Sequence, residues 1–391
     1  MKVAQIALDD YGNYGNFLQK YAIHKTVKKF AGDAEFFWYK DTGFWVENGD
    51  FPPPPKYILD AHPFDYQRWI CRQAVRMTKI KEFSERNIKT RFNLPYIEET
   101  ADEYDYFVIG SDQVWAPNFW VPFNIKFLTF VPREKKIAYA ASIAQPEIPD
   151  EYKEFFRQGI LSFDFVSVRE EGAVKLIEEL TGKTPLLVLD PVMLLTIDEW
   201  KKIAYPPSWF NEKYQRGYIF TYYLRNEPPP EIKSVAKKLN LPVINALDFN
   251  NFNHCTIGIE EFLWLIMNAS LVYANSFHGI ALSILFKRPF INREYDDKKT
   301  RDMSLRIPGI LKMFGLENRI AKVENDYKID SPLDIDFSTR DKILPGERMK
   351  AFKFLADAMK VDVPQDARGG GYELNSFAVC CEYSPCRLDA A

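Results

Sequence analysis

The sequence predicts an α/β protein built from two successive halves, each with a mainly parallel sheet. Short apolar runs alternate with longer amphipathic stretches along most of the chain, which is the pattern of βαβ units. With 391 residues, 47% of them hydrophobic, the chain can bury a large core, and its length favours two domains over one. A proline-containing break, Tyr205-Pro206-Pro207, interrupts the alternation.

We predict a first domain over residues 1–195 and a second over residues 196–360. Residues 364–391 carry three consecutive glycines and no amphipathic period, so we interpret them as a disordered or artificial tail. This tail also contains a Cys-Cys-x4-Cys cluster at Cys380, Cys381 and Cys386. Three thiolates without a nearby histidine or fourth cysteine do not complete a zinc site on their own.

The first half opens with a strand at 3–8, a glycine-containing turn and a helix at 17–30. Gly12 and Gly15 either allow the backbone to approach a ligand closely or simply form a tight turn. Their spacing matches neither of the glycine-rich nucleotide motifs. The further strands predicted in this half lie at 104–109, 136–142, 165–168 and 186–189. The further helices are one at 150–161 and one that follows the strand at 165–168 and ends at residue 180.

Polar residues follow two of these strands directly. Ser111 and Asp112 come after the strand at 104–109, where side chains of a parallel sheet project into the ligand cleft. Asp112 is a candidate to orient a hydroxyl or to act as a base, and Ser111 is a candidate to bond a phosphate. Arg169 follows the strand at 165–168, where it either grips a carboxylate or phosphate or forms a salt bridge with a neighbouring acid.

One stretch of the second half holds the strongest candidate for chemistry. The apolar spacing predicts a helix at 259–269, a buried strand at 271–274 and a buried helix at 280–287. His278 lies in the polar turn before that last helix, where free N–H groups and the helix dipole favour anions. The alternative is that His278 is structural and Ser276 is only an N-cap. The other elements predicted in this half are strands at 218–224, 243–246 and 290–291 and helices at 231–239 and 304–314.

A predicted helix early in the chain carries a stripe of basic residues. The stripe consists of Arg68, Arg72, Arg76 and Lys79, which recur on one helix face. One interpretation is a solvated face. The other is docking to an anionic membrane surface or to a pyrophosphate-bearing substrate, and the stripe favours a lipid pyrophosphate carrier within that second interpretation.

Charge and hydropathy bound the cellular setting. The formal net charge of −3 gives no overall drive toward nucleic acid, so any anion site must be local. The first residues lead straight into a strand, and no apolar run approaches the ~18 residues that span a bilayer. We therefore expect a cytoplasmic protein, with contact at the inner face of the membrane if the basic stripe binds lipid.

Six short motifs give the sequence a family resemblance. In chain order they are Asn13-Tyr14-Gly15-Asn16-x-Leu18-Gln19-x-Tyr21-Ala22, Ile109-Gly110-Ser111-Asp112-Gln113-x-Trp115, Ser167-Val168-Arg169-Glu170, Asp190-Pro191, Ser276-Phe277-His278-Gly279 and Arg306-Ile307-x-x-x-Leu311. Their order and spacing resemble the polysaccharide pyruvyl transferase family over residues 2–359. The resemblance implies a glycosyltransferase-B-like fold, in which two Rossmann-like domains face each other across a cleft.

The resemblance also implies an activity and a site. The expected reaction transfers pyruvate from phosphoenolpyruvate to two hydroxyls of a sugar, such as galactose in an exopolysaccharide or capsule precursor, and forms a cyclic ketal. The first domain would bind the acceptor and the second the donor, without a metal ion or cofactor. The catalytic candidates are His278, Asp112 and Arg169. The donor-binding candidates are Ser276, Phe277, Gly279, Arg169 and Arg306. The acceptor-binding candidates are Asn13, Tyr14, Gly15, Asn16, Gly110, Ser111 and Gln113.

The sequence departs from the family pattern at one position of the donor site. The family places an Arg-Leu-His-Gly turn at the donor, whereas Ser276 occupies the arginine position here. Another cation must then balance a donor of roughly three negative charges, because unpaired anions are costly to desolvate. Arg169 and Arg306 are the candidates. We expect His278 to protonate the donor and Asp112 to accept the hydroxyl proton.

Two alternatives remain open at this point. The first is a glycosyltransferase of the same fold that uses a nucleotide sugar, which nucleotide release would distinguish from phosphate release. The second is a non-catalytic glycan-binding protein, for which sugar binding without turnover, unchanged in His278→Ala, would be the evidence.

Overall fold

The computed structural model describes residues 1–8, 12–38, 63–92, 97–117, 123–224, 229–295, 306–322 and 331–367. The proline run at 52–55 and the cysteine-containing part of the predicted tail lie outside these residues. Within the described residues the strands form one sheet of seven strands and one of five.

The first half contains the seven-stranded sheet. Its elements are β1 (Lys2–Ile6), α1 (Tyr14–Ala31), β2 (Asp33–Phe37), α2 (Pro63–Asn87), β3 (Thr90–Arg91), β4 (Tyr106–Ile109), α3 (Phe123–Lys126), β5 (Lys136–Ala141), α4 (Asp150–Leu161), β6 (Phe165–Val168), α5 (Glu171–Thr181) and β7 (Leu186–Leu187). The strands are all parallel and lie in the order β3-β2-β1-β4-β5-β6-β7.

The second half contains the five-stranded sheet. Its elements are α6 (Ile197–Lys201), α7 (Glu212–Gln215), β8 (Ile219–Tyr222), α8 (Glu231–Leu239), β9 (Val243–Asn245), α9 (Phe252–Cys255), α10 (Ile259–Asn268), β10 (Leu271–Ala274), α11 (Phe277–Leu285), β11 (Phe290–Arg293), α12 (Arg306–Met313), β12 (Ile320–Ala321) and α13 (Ser338–Met359). These strands are also parallel, in the order β12-β11-β10-β8-β9.

The two parallel sheets with their connecting helices confirm the predicted fold class of two Rossmann-like domains. In each sheet the strand order reverses once, between β1 and β4 in the first sheet and between β8 and β10 in the second. Ligands of open α/β sheets bind beside the carboxyl ends of the strands at such reversals. The topology therefore directs attention to the residues that directly follow β1, β4 and β10.

The two halves share apolar packing. The ring of Tyr14 in α1 stacks on Phe262 in α10, with centroids 4.5 Å apart. Helix α13 returns to the first half, where Phe354 lies 6.2 Å from the ring of Tyr139. The first sheet ends at Leu187 and the second begins at Ile219. The boundary expected between residues 195 and 196 falls in this interval and stays a prediction.

The structure corrects the predicted starts of two helices. The glycine turn was expected to continue to residue 16, but α1 already begins at Tyr14 and Asn13 caps it, accepting the N–H of Gly15 at 3.0 Å. Likewise α11 begins at Phe277, so Ser276 is its N-cap and His278 lies inside its first turn. Short strands β2, β3 and β12 and the long helix α13 were not predicted. Among the described residues, no helix has both the length and the apolar character needed to cross a membrane.

Candidate active site between the two halves

His278 is held at the carboxyl end of the second sheet. The side chain of Ser276 accepts the N–H of Gly279 at 3.5 Å, which fixes the start of α11 directly after β10. Every residue of α11 is buried, as its apolar sequence predicted, so the helix has little freedom to move. His278 is 5% exposed, and its Nε2 has no hydrogen-bond partner among the described residues. The imidazole therefore keeps one ring nitrogen available for a ligand.

Arg169 joins two carboxylates of the first half. Its side chain is completely buried, with Nη2 donating to Oδ1 of Asp112 at 2.8 Å and Nη1 donating to Oδ2 of Asp190 at 2.5 Å. These residues follow β6, β4 and β7, three strands of one parallel sheet, so the carboxyl edge of the sheet brings them together. The salt-bridge interpretation of Arg169 is therefore the one seen here. Only its Nε has no hydrogen-bond partner within the described part of the chain.

Both carboxylates are held in the ionised form. Burial raises the pKa of Asp112, but the nearby charges of Arg169 and His278 outweigh burial, and the net pKa lies below its ordinary value. For Asp190 burial acts in the same direction, and the charges of His278 and Arg169 again lower the pKa well below the usual range. The cluster therefore carries fixed negative charge to which cations of the second half are attracted.

The two halves meet at these carboxylates. Nε2 of His278 lies 3.6 Å from Oδ2 of Asp190, the same oxygen that accepts from Arg169. Nη1 of Arg306 lies 3.6 Å from Oδ1 of Asp112, the oxygen that accepts the second Arg169 bond. At 3.6 Å these are close approaches of polar groups rather than hydrogen bonds. The structure thus brings the three catalytic candidates and Arg306 into one cluster.

The ring of Phe277 lies close to both arginines of the cluster. The guanidinium carbon of Arg169 lies 4.6 Å from the centroid of its ring, and that of Arg306 lies 5.7 Å from the same centroid. Both distances allow a cation–π attraction that keeps two like charges close without direct contact. Burial and the charge of Arg169 lower the pKa of Arg306. Nε of Arg306 is buried without a hydrogen-bond partner in the described chain, which makes this residue receptive to an anion.

Gly15 is required where α1 approaches His278. A Cβ atom on residue 15 would lie 2.2 Å from Nδ1 of His278, far inside contact distance. The neighbouring Asn16 donates to Oδ2 of Asp112 at 3.4 Å. The first turn of α1 therefore lines the cluster. Glycine is needed at position 15 because it has no side chain, and not because the backbone must form a flexible turn there.

Gly15→Ala is expected to impair catalysis by displacing His278. A displacement of about 1 Å costs a reaction on the order of 100-fold in rate, so we expect a loss of that size in kcat. Initial-rate kinetics will measure it. The matched control is Gly172→Ala in α5, where an added Cβ meets nothing within 4 Å and activity should stay unchanged. Equal activity in both variants would contradict the close approach.

The other acceptor candidates occupy mixed positions. Asn13 is the cap of α1, and the hydroxyl of Tyr222 lies 3.5 Å from its Oδ1, so it stands beside the second sheet. Tyr14 is fully buried, and its hydroxyl donates to the carbonyl of Ile257 at 2.8 Å. This geometry gives Tyr14 a structural role between the halves, and direct contact with a sugar would require Tyr14 to move. Gln113 is half-buried.

Gly110 and Ser111 support the loop that carries Asp112. Gly110 has φ of +121°, and a Cβ there would lie 2.0 Å from the carbonyl oxygen of Tyr139, so only glycine fits. The hydroxyl of Ser111 donates to the carbonyl of Ala140 at 2.9 Å and lies 3.2 Å from Asp190. Ser111 is fully buried, so bonding to a phosphate stays a prediction.

Two acidic residues of the cluster were not among the predicted site residues. Asp190 follows β7, and the strand-end argument applied to Asp112 and Arg169 would have found it. Glu170 accepts three bonds through Oε1, from the hydroxyl of Ser142 at 2.9 Å and from the N–H groups of Ile143 and Ala144 at 2.9 and 3.1 Å. Glu170 thereby fixes the loop after β5. The sequence around Glu170 gives no sign of this role.

The basic stripe of α2 is not one solvated face. Arg68 is exposed and Arg72 half-buried, whereas Arg76 is buried. Lys79 pairs with Glu261 of α10 at 2.9 Å. Contact with a membrane stays a prediction. Within the described part of the chain, no group of three or more histidine, cysteine or acidic side chains is arranged to hold a metal ion.

Comparisons with known proteins give one family match and several distant structural similarities. The family described as polysaccharide pyruvyl transferase matches residues 13–297. No curated protein matches the chain. The Methanocaldococcus jannaschii UDP-GlcNAc 2-epimerase is similar at 14% identity over 88% of this chain and 98% of its own, with a TM-score of 0.42. ADP-heptose lps heptosyltransferase II of E. coli is similar at 11% identity over 92% of this chain and 99% of its own, with a TM-score of 0.34. Medicago truncatula UGT71G1, complexed with UDP-glucose, is similar at 10% identity over 94% of this chain and 98% of its own, with a TM-score of 0.39.

Proposed function

The chain belongs to the polysaccharide pyruvyl transferase family, and from this premise we propose that it transfers pyruvate from phosphoenolpyruvate to two hydroxyls of a sugar, forming a cyclic ketal. The observation that carries the proposal is a pair of buried ring and guanidinium nitrogens at the junction of the two halves, Nε2 of His278 and Nε of Arg306, which have no hydrogen-bond partner among the described residues. Buried donors are normally satisfied in a protein, so two at one junction favour the binding of an anion there.

The reaction begins at the methylene carbon of phosphoenolpyruvate. A proton from His278 adds to that carbon and leaves an oxocarbenium-like centre at C2. One sugar hydroxyl attacks C2 and loses its proton, and the bond between C2 and the phosphate oxygen breaks. The second hydroxyl then closes the ring. One hydroxyl proton replaces the proton taken from His278, and the other leaves with inorganic phosphate, so atoms and charge balance.

The remaining side chains divide the work of binding and orientation. Arg306 pairs with the donor anion and substitutes for the arginine absent at position 276. Arg169 holds Asp112 and Asp190 in place, and gripping the donor would require its two carboxylate bonds to open. Asp112 is ionised and has a lowered pKa, which makes it a good hydrogen-bond acceptor for orienting a hydroxyl and a weak base.

Mass spectrometry of candidate oligosaccharides after incubation with phosphoenolpyruvate tests the proposal. The expected product is heavier than the acceptor by one pyruvate less one water, and an equal amount of inorganic phosphate is released. Nucleotide release from a nucleotide sugar would instead assign the glycosyltransferase alternative. Sugar binding without either reaction would assign the glycan-binding alternative.

Arg306→Gln is expected to weaken the donor complex specifically. Loss of one charge-assisted contact to the donor should raise KM for phosphoenolpyruvate by roughly 10- to 100-fold. The matched control is Arg157→Gln, which removes a partly exposed arginine that pairs with Glu154 along α4. Steady-state kinetics at varied phosphoenolpyruvate concentrations give the comparison. An unchanged KM in Arg306→Gln would remove Arg306 from the donor site.

The acceptor is a hexose such as galactose in an exopolysaccharide or capsule precursor, and the enzyme works in the cytoplasm. The acceptor rests on the family alone, and the location is the expectation from the sequence. Binding of phosphatidylglycerol vesicles by the purified protein tests the peripheral membrane contact predicted for the basic stripe of Arg68, Arg72, Arg76 and Lys79.

A further inference from the structure

Helix α2 presents two arginines that its neighbours do not neutralise. Arg76 is 5% exposed, yet its Nε and Nη1 have no hydrogen-bond partner among the described residues, and neither has Nη1 of Arg72. Nη2 of Arg76 donates to Oε1 of Gln73, a neutral group, and the guanidinium also interacts with the Tyr14 side chain, which is neutral as well. A buried guanidinium without a carboxylate is costly, because its desolvation is not compensated.

The acids of the facing elements are engaged elsewhere. Oε2 of Glu261 accepts from Lys79 at 2.9 Å and from the N–H of Gly258 at 2.6 Å. Oε1 of Glu260 accepts from Arg86 at 2.6 Å. Oδ1 of Asp248 accepts the N–H of Asn250 at 2.9 Å, and this carboxylate also acts on Cys255, so its single negative charge offsets part of the two positive charges. Within the described chain, Arg72 and Arg76 therefore form a local excess of positive charge between α2 and the second half.

Both arginines act on the same point of the second half. Burial raises the pKa of the Cys255 thiol in α9, and the positive charges of Arg72 and Arg76 oppose that rise. Arg72 and Arg76 are also four residues apart on α2, so their side chains lie on one face of the helix. Arg72 is half-buried, so this region is reached from solvent along the face of α2.

The region adjoins the candidate active site through two consecutive residues. The guanidinium carbon of Arg76 lies 5.7 Å from the ring centroid of Tyr14. The next residue, Gly15, is the one that contacts His278. A group bound by Arg72 and Arg76 is therefore separated from the reacting histidine by little more than one side chain.

We propose that Arg72 and Arg76 form an anion subsite that binds the diphosphate group of a sugar acceptor. Two guanidinium groups one helical turn apart match the oxygens of a diphosphate better than a single carboxylate, since each can donate to two oxygens. The subsite extends the proposed function, on which its assignment to the acceptor rests. It requires a sugar diphosphate ester, in which the sugar reaches His278 while the diphosphate stays at α2.

Inorganic pyrophosphate is the probe for the subsite itself. We expect it to bind the full-length protein in isothermal titration calorimetry and to bind about tenfold more weakly to Arg72→Gln and to Arg76→Gln. Circular dichroism checks that each variant is folded. Arg72 is half-buried, so Arg72→Gln should keep the fold. Arg76 is buried, so Arg76→Lys is the variant to use if Arg76→Gln does not fold. The matched control is Arg86→Gln on the same helix, whose partner Glu260 is known. Unchanged affinity in both arginine variants would overturn the proposal.

A variant of the donor site distinguishes pyrophosphate bound at the subsite from pyrophosphate bound at the donor site. Arg306→Gln should weaken binding of phosphoenolpyruvate but leave pyrophosphate affinity intact. If pyrophosphate binding is lost in Arg306→Gln and retained in Arg72→Gln, the probe occupies the donor site and the subsite is wrong. Pyrophosphate binding that depends on Arg72, in a protein that never consumes phosphoenolpyruvate, would support the anion subsite and refute the proposed function.

Two further ligands distinguish a lipid-linked acceptor from a nucleotide-linked acceptor. A prenyl diphosphate and a nucleoside diphosphate are titrated separately, and the tighter one identifies a lipid-linked or nucleotide-linked acceptor. Anionic vesicles form the last arm. Vesicle binding that falls in Arg72→Gln, with pyrophosphate binding unaffected, would assign these arginines to the membrane and overturn the subsite.

Discussion

His278→Ala is expected to lower kcat for ketal formation by about 10²- to 10⁴-fold, the usual contribution of a general acid. Nε2 of His278 has no hydrogen-bond partner among the described residues and lies 3.6 Å from Oδ2 of Asp190, at the junction of the two halves. The effect should appear in single-turnover rates as well as in steady state, because the missing proton transfer is the chemical step.

A second histidine provides the matched control. His24 in α1 is buried, its Nδ1 lies 2.8 Å from Oε1 of Gln5, and burial together with neighbouring lysines lowers its pKa to about 3. A neutral, hydrogen-bonded imidazole of this kind is structural. His24→Ala should lower the free energy of unfolding and leave kcat of the folded protein unchanged. Retained catalysis in His278→Ala would contradict the assigned role.

Arg169→Met is expected to destabilise the fold by about 3–5 kcal/mol, the cost of leaving a buried charge without its partner. The variant removes the cation between Asp112 and Asp190 while keeping most of the side-chain volume. Urea denaturation at neutral pH will measure the loss. Arg157→Met on the exposed side of α4 should change stability little. A similar stability in both variants would show that the carboxylate pair does not depend on Arg169.

The stability lost in Arg169→Met is expected to decrease as the pH falls. Asp112 and Asp190 have folded-state pKa values below the ordinary value of about 3.9, so they contribute stability above that pH and lose it as pH falls through the folded values. Without Arg169, burial raises both pKa values. The stability difference between wild type and Arg169→Met should therefore be largest near neutral pH and shrink below about pH 4.

Local pattern predicted much of the second half from sequence. The i, i+3, i+4 spacing before Asn268 predicts the helix observed as α10, and the uniformly apolar α11 is buried along its whole length. The strand-end rule brought Asp112, Arg169 and His278 to one cleft before any coordinates. These signals succeed because parallel sheets place consecutive strand ends on one edge.

Other features depend on tertiary contacts that local pattern does not contain. Gly15 reads as a turn residue in isolation, and only the approach of His278 explains a glycine inside α1. Helix α13 was missed because it contains Pro345 and lacks a clear apolar stripe, since it packs on both halves. The pairing of Lys79 in the basic stripe follows from Glu261 of α10, which is far away in sequence.

The central claim is that phosphoenolpyruvate is protonated on carbon at the junction of the two halves. The most direct measurement is the reaction of wild type with phosphoenolpyruvate and an acceptor in deuterium oxide, followed by mass spectrometry and NMR of the product. The account predicts a cyclic ketal whose methyl group carries deuterium, formed together with inorganic phosphate and strongly slowed in His278→Ala. A ketal methyl group without deuterium, or no consumption of phosphoenolpyruvate with any acceptor, would contradict it.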